Sequence, residues 1–371
     1  MDLSSSKARL ALGGAIMGVV AACLAVFGNP KNMAICTACF IRDIAGALKL
    51  QTVETVQYFR PEIVGIVLGA FIIALLAKEF KVTAGSAPLV RFLLGFMMMV
   101  GALVFLGCPL RMVLRLSAGD LNALVGLIGF ALGVFTGTFA LKRGFSLGPA
   151  HPTAAPNGYV LPASLLVLLV LSVATAGLFA VSEKGPGSLH APVIASLVGG
   201  LVFGAVAQRC RTCFAGSIRD IILMGNFDLI SIIGGIFVVM LVYNVITGNF
   251  NLSFTGQPVA HARHLWNLLG MYVVGFAAVL AGGCPLRQLI MAGQGSGDAA
   301  VTFLGLLIGA AFAHNFKLAS GAAAAATADT AAVPGGPGLN GQIAVIACIL
   351  VLFVIGFGMK PRESATAKAA A

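Results

Sequence analysis

Gly107-Cys108-Pro109-Leu110-Arg111 returns letter for letter as Gly283-Cys284-Pro285-Leu286-Arg287, and this repetition decides the fold. Upstream, Cys36-Thr37-Ala38-Cys39-Phe40 is echoed by Cys210-Arg211-Thr212-Cys213-Phe214. Each echo is soon followed by Ile-Arg-Asp-Ile, at 41–44 and 218–221. The order of motifs is kept: Cys39 precedes Cys108 by 69 residues, and Cys213 precedes Cys284 by 71. Six of the eight cysteines fall inside these repeats. A duplicated apolar unit carrying thiols and arginines at matched depths has the organisation of a transporter.

Composition fixes the solvent. Of 371 residues, 59% are hydrophobic and 9% charged, with a mean hydropathy of +1.02. Soluble domains carry about 25% charged residues, so this chain needs lipid around it. The 47 glycines suit helices whose backbones touch. The net charge of +11 forms no basic run, which argues against a nucleic-acid partner. It fits loops at one membrane face, with some charge turned to an anionic solute.

Apolar stretches near 10–28, 61–77, 92–107, 121–141, 159–181, 191–208, 228–247, 265–282, 299–316 and 341–359 predict ten membrane-spanning helices in an all-α, polytopic protein. The first is read as a span rather than a signal peptide, because no small-residue cleavage site follows it. Connectors without apolar drive lie at 142–158, 248–263 and 317–340, the last low in complexity with Ala322–Ala326 and Pro334-Gly335-Gly336-Pro337. The motif segments near 33–50, 108–118, 210–225 and 284–296 are too short or too charged to span. They read as re-entrant half-helices, two per repeat, which membrane depth tolerates only where protein or a cavity surrounds them. The chain therefore divides into a first repeat (1–141), a loop and linking helix (142–188), an inverted second repeat (189–316), and a final loop, helix and tail (317–371).

Lysine and arginine set the orientation. Ten crossings with a cytoplasmic N-terminus put Lys7, Arg9, Lys78, Lys81, Arg91, Lys142, Arg143, Lys360, Arg362 and Lys368 inside. Outside, beyond the motif arginines, stand Lys31, Lys49, Arg60, Lys184, Arg263 and Lys317. That asymmetry favours both termini in the cytoplasm. Five spans separate the starts of the two repeats, and an odd number inverts the second relative to the first. The half-sites then approach the midplane from opposite faces.

Proline directly after the cysteine fits the first helical turn and places Cys108 and Cys284 at N-caps. There they face free N–H groups and the positive end of the helix dipole. Arg111 and Arg287 follow one turn later. They can hold an oxyanion, or fix the half-helix through backbone carbonyls. The alternative is that Gly107-Cys108-Pro109 and Gly283-Cys284-Pro285 only kink a helix, with the cysteine packing as a small hydrophobe. The Cys-x-x-Cys-Phe pairs admit three readings: a zinc site, a redox dithiol, or a permeation path. Zinc by this pattern is usually local, whereas the pairs stand 174 residues apart. In the path reading, Cys39 and Cys213 beside Phe40 and Phe214 line the route, and Cys36 and Cys210 support them. Arg42-Asp43 and Arg219-Asp220 pair with each other or with half-helix ends. Gly119-Asp120 and Gly297-Asp298 read as helix caps.

His151, His190, His261, His264 and His314 form no metal spacing and read as surface residues. Met97-Met98-Met99 reads as packing, Cys23 and Cys348 as inert core, and Trp266 as an interfacial anchor. No Walker, Rossmann or Ser-His-Asp pattern is present, and neither metal nor cofactor is expected.

The paired motifs in a duplicated polytopic chain resemble the YeeE/YedE family of bacterial inner-membrane sulfur-compound transporters, from about residue 10 to 316. Asn29-Pro30-Lys31-Asn32-Met33 leading into Cys36–Asp43 is more similar to the YedE branch, which is linked to selenium. The resemblance implies thiosulfate uptake along an hourglass-shaped path by S–H hydrogen bonds. Carried over by motif, the relay is Cys39, Cys108 and Cys284, with Cys213 as symmetry mate. Cys36 and Cys210 depart from the thiosulfate pattern. It also implies a cytoplasmic acceptor, a small TusA-like sulfurtransferase.

Two function classes follow, and the favoured one, transport, is not an enzyme. One is a membrane transporter for a small sulfur- or selenium-containing anion. The other is a membrane thiol–disulfide oxidoreductase using Cys36/Cys39 and Cys210/Cys213, which leaves the doubled Gly-Cys-Pro-Leu-Arg without a task.

Overall fold

The computed structural model describes residues 3–175, 177–324 and 333–359. Lys360, Arg362 and Lys368 of the charge asymmetry lie outside the described residues, as do 325–332 of the low-complexity loop. The apolar runs form helices at nearly the expected bounds. These are α1 Leu3–Val26, α3 Pro61–Leu76, α4 Pro88–Phe105, α6 Leu121–Lys142, α7 Pro156–Ala174, α8 Val193–Arg209, α10 Asp228–Ile246, α11 His264–Leu280, α13 Gly297–Asn315 and α14 Leu339–Gly358. Nine apolar helical runs among the described residues are long enough to cross a membrane. At 16 residues, α3 is shorter and reaches about 24 Å at 1.5 Å per residue.

The four motif segments are separate short helices: α2 Thr37–Ala47, α5 Pro109–Ser117, α9 Phe214–Met224 and α12 Pro285–Gly293. Proline opens α3, α4, α5 and α12 at a position where its missing N–H leaves no bond unmade. Between α4 and α5 the chain turns through Leu106 at φ 63°, and between α11 and α12 through Gly282 at φ 84°. The same left-handed corner is thus held by leucine in one repeat and glycine in the other. The only paired strands described are two residues each, β1 Thr83–Ala84 with β2 His151–Pro152.

Packing repeats with the sequence. The most extensive interfaces pair α3 with α8 and α10 with α1, then α6 with α11 and α4 with α13. Each pair maps onto its partner when the halves are exchanged. Glycines make these crossings close. A Cβ at Gly14 of α1 would strike the backbone at Ile232 of α10, and one at Gly18 the side chain of Val239 beside the Ile236 carbonyl. At Gly200 or Gly204 of α8 it would strike the backbone at Glu62 or Ile66 of α3. Four-residue spacing of small residues is the device by which helices approach in lipid. These contacts align Glu62 and Gly65 with Ile232 and Gly235. The helices α7 and α14 stand outside the duplication and cover α3 and α11 respectively.

Successive spans alternate in direction, so α1 and its mate α8 run oppositely. The face that carries the start of α1 also carries the β1–β2 pair and the end of α8; we call it the near face. The far face carries 48–60, 177–192, 247–263 and 316–324. Two bridges hold the half-helix ends to these faces: Thr83 with Ser296 at the near face, and Asp120 with Ser253 at the far face.

Candidate functional site

Two thiol clusters form, one per repeat. In the first, Cys36 is the N-cap of α2 and Cys108 the N-cap of α5. Their sulfurs lie 3.7 Å apart. Cys36 also accepts the Cys39 N–H at 3.4 Å, and all three cysteines are buried. In the second, Cys213 caps α9 and accepts the Gly216 N–H at 3.2 Å. Cys284 caps α12, and the Cys213 and Cys284 thiols interact.

These caps revise the expected correspondence of cysteines. Aligned on the cap and on Ile-Arg-Asp-Ile, Cys36 matches Cys213, and Cys39 matches Gly216. The mate of Cys213 is therefore Cys36, not Cys39. Cys210 lies outside the half-helix at the end of α8, half-buried, with its sulfur over Gly13 of α1. Arg42 and Arg219 each stand six residues after the cap, and each bonds its neighbour, Asp43 at 2.6 Å and Asp220 at 2.8 Å.

The glycine of each Gly-Cys-Pro-Leu-Arg makes room for the motif's own arginine. A Cβ at Gly107 would press on Arg111 Cδ at 2.9 Å, and one at Gly283 on Arg287 Cγ at 2.6 Å. The two arginines then do different work. Arg111 is fully buried and donates to the carbonyls of Leu106, Asn32 (3.0 Å), Pro258 (3.4 Å) and Val259 (3.2 Å). It also approaches Cys39 Sγ at 3.6 Å. It thereby ties α5, the 27–36 segment and the 247–263 segment into one closed assembly. Arg287 keeps a buried Nη1 with no partner and lines an open chamber. A lysine, with no planar fork, should therefore fail differently in the two places. Arg111→Lys is expected to lower thermal stability, whereas Arg287→Lys keeps stability and loses anion affinity. Melting curves and uptake affinities measured on both variants check this, and equal losses would make the arginines interchangeable.

A chamber lies beside each cluster. The near-face chamber, about 500 Å³, is lined by Arg209, Cys210, Arg211, Cys213, Arg219 and Arg287, with Asp220 and Asp228 opposing them. The far-face chamber, about 350 Å³, is lined by Arg42, Leu106, Val259, His314 and Lys317 among others. Arg42 and Arg219, symmetry mates, thus stand in opposite mouths, as do Leu106 and Gly282. The near mouth reaches its cysteine, while the far one is stopped short by the Arg111 assembly.

Several expected positions serve the scaffold. Phe40 lies under the Arg60 guanidinium at 4.4 Å. Phe214 faces an apolar groove with Met112, Phe130 and Phe237. Pro109 and Pro285 start α5 and α12. Arg60 is wholly buried, not an outside-facing charge. It bonds Asp43 at 2.8 Å and the carbonyls of Leu189 and Pro186 at 3.0 and 2.8 Å. Arg115, one turn past Arg111, bonds Asp120 at 2.6 Å and covers Phe105. Asp120 caps α6 as expected, but Ser296 caps α13. Asp298 instead accepts from Gly85 and Ser86 N–H. Of the histidines, His261 is buried rather than on the surface. It meets the Val104 carbonyl at 2.8 Å, and burial pushes it down to about 4. The Met97–Met99 run is buried, as packing requires; Cys348 is buried as expected, but Cys23, expected in the core, is exposed. No group of three or more metal-ligating side chains occurs among the described residues.

A duplicated, nearly all-helical membrane protein with mirrored charged mouths and thiol-capped half-helices has the organisation of polytopic transporters. A family model described as sulphur transport matches residues 209–371. The match covers less than half of the chain, and the apolar helices among the described residues make this a multi-pass membrane protein. No curated protein matches the chain.

Proposed function

We propose that the protein imports a small sulfur- or selenium-containing anion, thiosulfate or a selenium compound, by hand-over between buried thiols. The observation that carries this reading is the pair of cysteine-capped half-helix ends at each cluster, beside an arginine-bearing chamber. Thiols are soft, polarisable and weakly donating, which suits sulfur and selenium. Once the Arg111 assembly opens, the solute reaches Cys36, Cys39 and Cys108 from the far chamber and leaves past Cys284, Cys213 and Cys210 through the near one. The lysine and arginine asymmetry supports an inner-membrane protein with both termini in the cytoplasm, so the near chamber opens where a TusA-like acceptor would meet it. The redox reading loses support from the thiol geometry. The short sulfur contact joins Cys36 to Cys108, across two motifs, rather than closing the Cys36–Cys39 pair.

Uptake by proteoliposomes holding the purified protein tests this. Labelled thiosulfate, selenite and a reduced selenium species are compared side by side. Saturable uptake of one of them is expected, and the preferred solute decides between sulfur and selenium. Folded protein that moves none of them, while its cysteine pairs cycle between dithiol and disulfide, would move the assignment to the oxidoreductase class.

A further inference from the structure

Glu62 is a fully buried carboxylate in the first turn of α3. Its Oε1 accepts from Asn29 Nδ2 at 2.8 Å and from Ser196 Oγ at 3.0 Å. Its Oε2 has no partner, and no lysine or arginine among the described residues pairs with it. An unpaired ionisable group buried in protein is costly, and where one persists in a membrane protein it is a functional-site candidate.

The duplication removes the architectural explanation. At the mirrored crossing of α1 and α10, Glu62 is replaced by Ile232, and Ser196 by Leu10. The same backbone contacts form there around apolar side chains. The fold needs glycines at this crossing; it does not need a carboxylate. Only one half carries a carboxylate at this position.

Asn29 connects Glu62 to the first thiol cluster. Its Nδ2 also donates to the Ala34 carbonyl at 2.7 Å, and its Oδ1 accepts the Ala191 N–H at 2.9 Å. Ala34 stands two residues before Cys36, and Asn32 supplies a carbonyl to Arg111. Asn32 and Ala34 hold φ of 60° and 40°, conformations that non-glycine residues keep only when their surroundings enforce them. A change of charge at Glu62 therefore acts, through Asn29, on the segment that positions Cys36 and braces Arg111.

We propose that Glu62 binds and releases a monovalent cation, H⁺ or Na⁺, and that this exchange drives solute movement through the first thiol cluster. The proposal rests on the transport reading above. The ionisable groups around Glu62 are few. Tyr58 is stacked on His190 at 3.9 Å, and Arg60 is committed to Asp43 and two carbonyls. From α2 comes the Arg42–Asp43 pair. Beyond these, α7 carries Tyr159, stacked on Phe80, α12 carries Arg287, and α8 carries Arg209 at its distant end. None of them neutralises Oε2.

The experiment compares wild type and Glu62→Gln in proteoliposomes, reading labelled thiosulfate accumulation with and without an inward tenfold gradient of Na⁺ or of H⁺. Coupled one to one, such a gradient supports about tenfold accumulation. In wild type one of the two gradients is expected to raise accumulation by about that factor, which names the cation; in Glu62→Gln the ratio falls to about one. A ratio unchanged by Glu62→Gln overturns the proposal, as does wild-type uptake indifferent to both gradients. A second measurement stands apart from transport. Either Na⁺ raises the melting temperature of the purified protein, or a pH step produces a carboxyl band in the infrared difference spectrum, and Glu62→Gln abolishes the signal. Absence of both in wild type overturns the proposal even where uptake fails, whereas failed uptake with a clear cation signal sinks only the transport reading. Should Glu62→Gln not fold, Ser196→Ala must shift the cation concentration for half-effect, and an unshifted value counts against the site.

Discussion

Cys108→Ala and Cys284→Ala are each expected to slow uptake roughly ten- to hundredfold, because a hydrogen bond to a charged group contributes about 1.5–3 kcal/mol. Both thiols are buried at the start of a half-helix, and each stands beside another cysteine. Alanine removes the S–H donor and little volume, so the fold should persist. Initial uptake rates, taken alongside elution profiles and melting curves, separate the two effects. Cys23→Ala, altering an exposed cysteine away from both clusters, should leave the rate where it was. Wild-type rates in both cap variants would end the hand-over mechanism.

Asp43→Ala should destabilise the protein by about 3–5 kcal/mol, the range for breaking a buried ion pair from one side. Asp43 is the sole carboxylate of Arg42 and Arg60, whose side chains are 3% and 0% exposed. Its loss leaves two buried guanidiniums and unfastens α2 from the 177–192 segment. The mate, Asp220→Ala, tests the same chemistry in a different setting. Arg219 is 31% exposed and no second arginine depends on Asp220, so the change should fall within about 0–1 kcal/mol, as for surface pairs. Denaturation of the two variants in identical detergent gives the comparison, and similar losses would contradict the buried-pair account.

The spans and the duplication were legible because lipid imposes a simple rule: about 20 apolar residues, interrupted where the backbone needs protein around it. The caps at Cys108 and Cys284 were legible for an equally local reason, since proline directly after a residue dictates which residue caps. Register within the other motif was not. Cys-x-x-Cys-Phe offers the eye a five-residue match, but helix starts follow the residue that can accept an N–H, and that placed Cys213 opposite Cys36. The better signal was Ile-Arg-Asp-Ile, which sits five residues after the cap in both halves. Arg60 and Glu62 were obscured by flanking Pro61, which read only as the start of an apolar run. Their partners, Asp43 and Ser196, lie 17 and 134 residues away, beyond any local pattern. The 248–263 connector has no apolar drive in sequence, yet its Pro258 and Val259 carbonyls close the first cluster around Arg111.

Cysteine at all four half-helix caps has one more consequence. Each helix start carries roughly half a positive charge, so the two that meet at each thiol pair present about one unit, supplied by peptide groups alone. Such a charge cannot be titrated away, neutralised by exchanging a side chain, or carried off on a moving arm. Each thiol pair therefore sits on a fixed electropositive floor, and the arginines in the two mouths add to its field rather than set its sign.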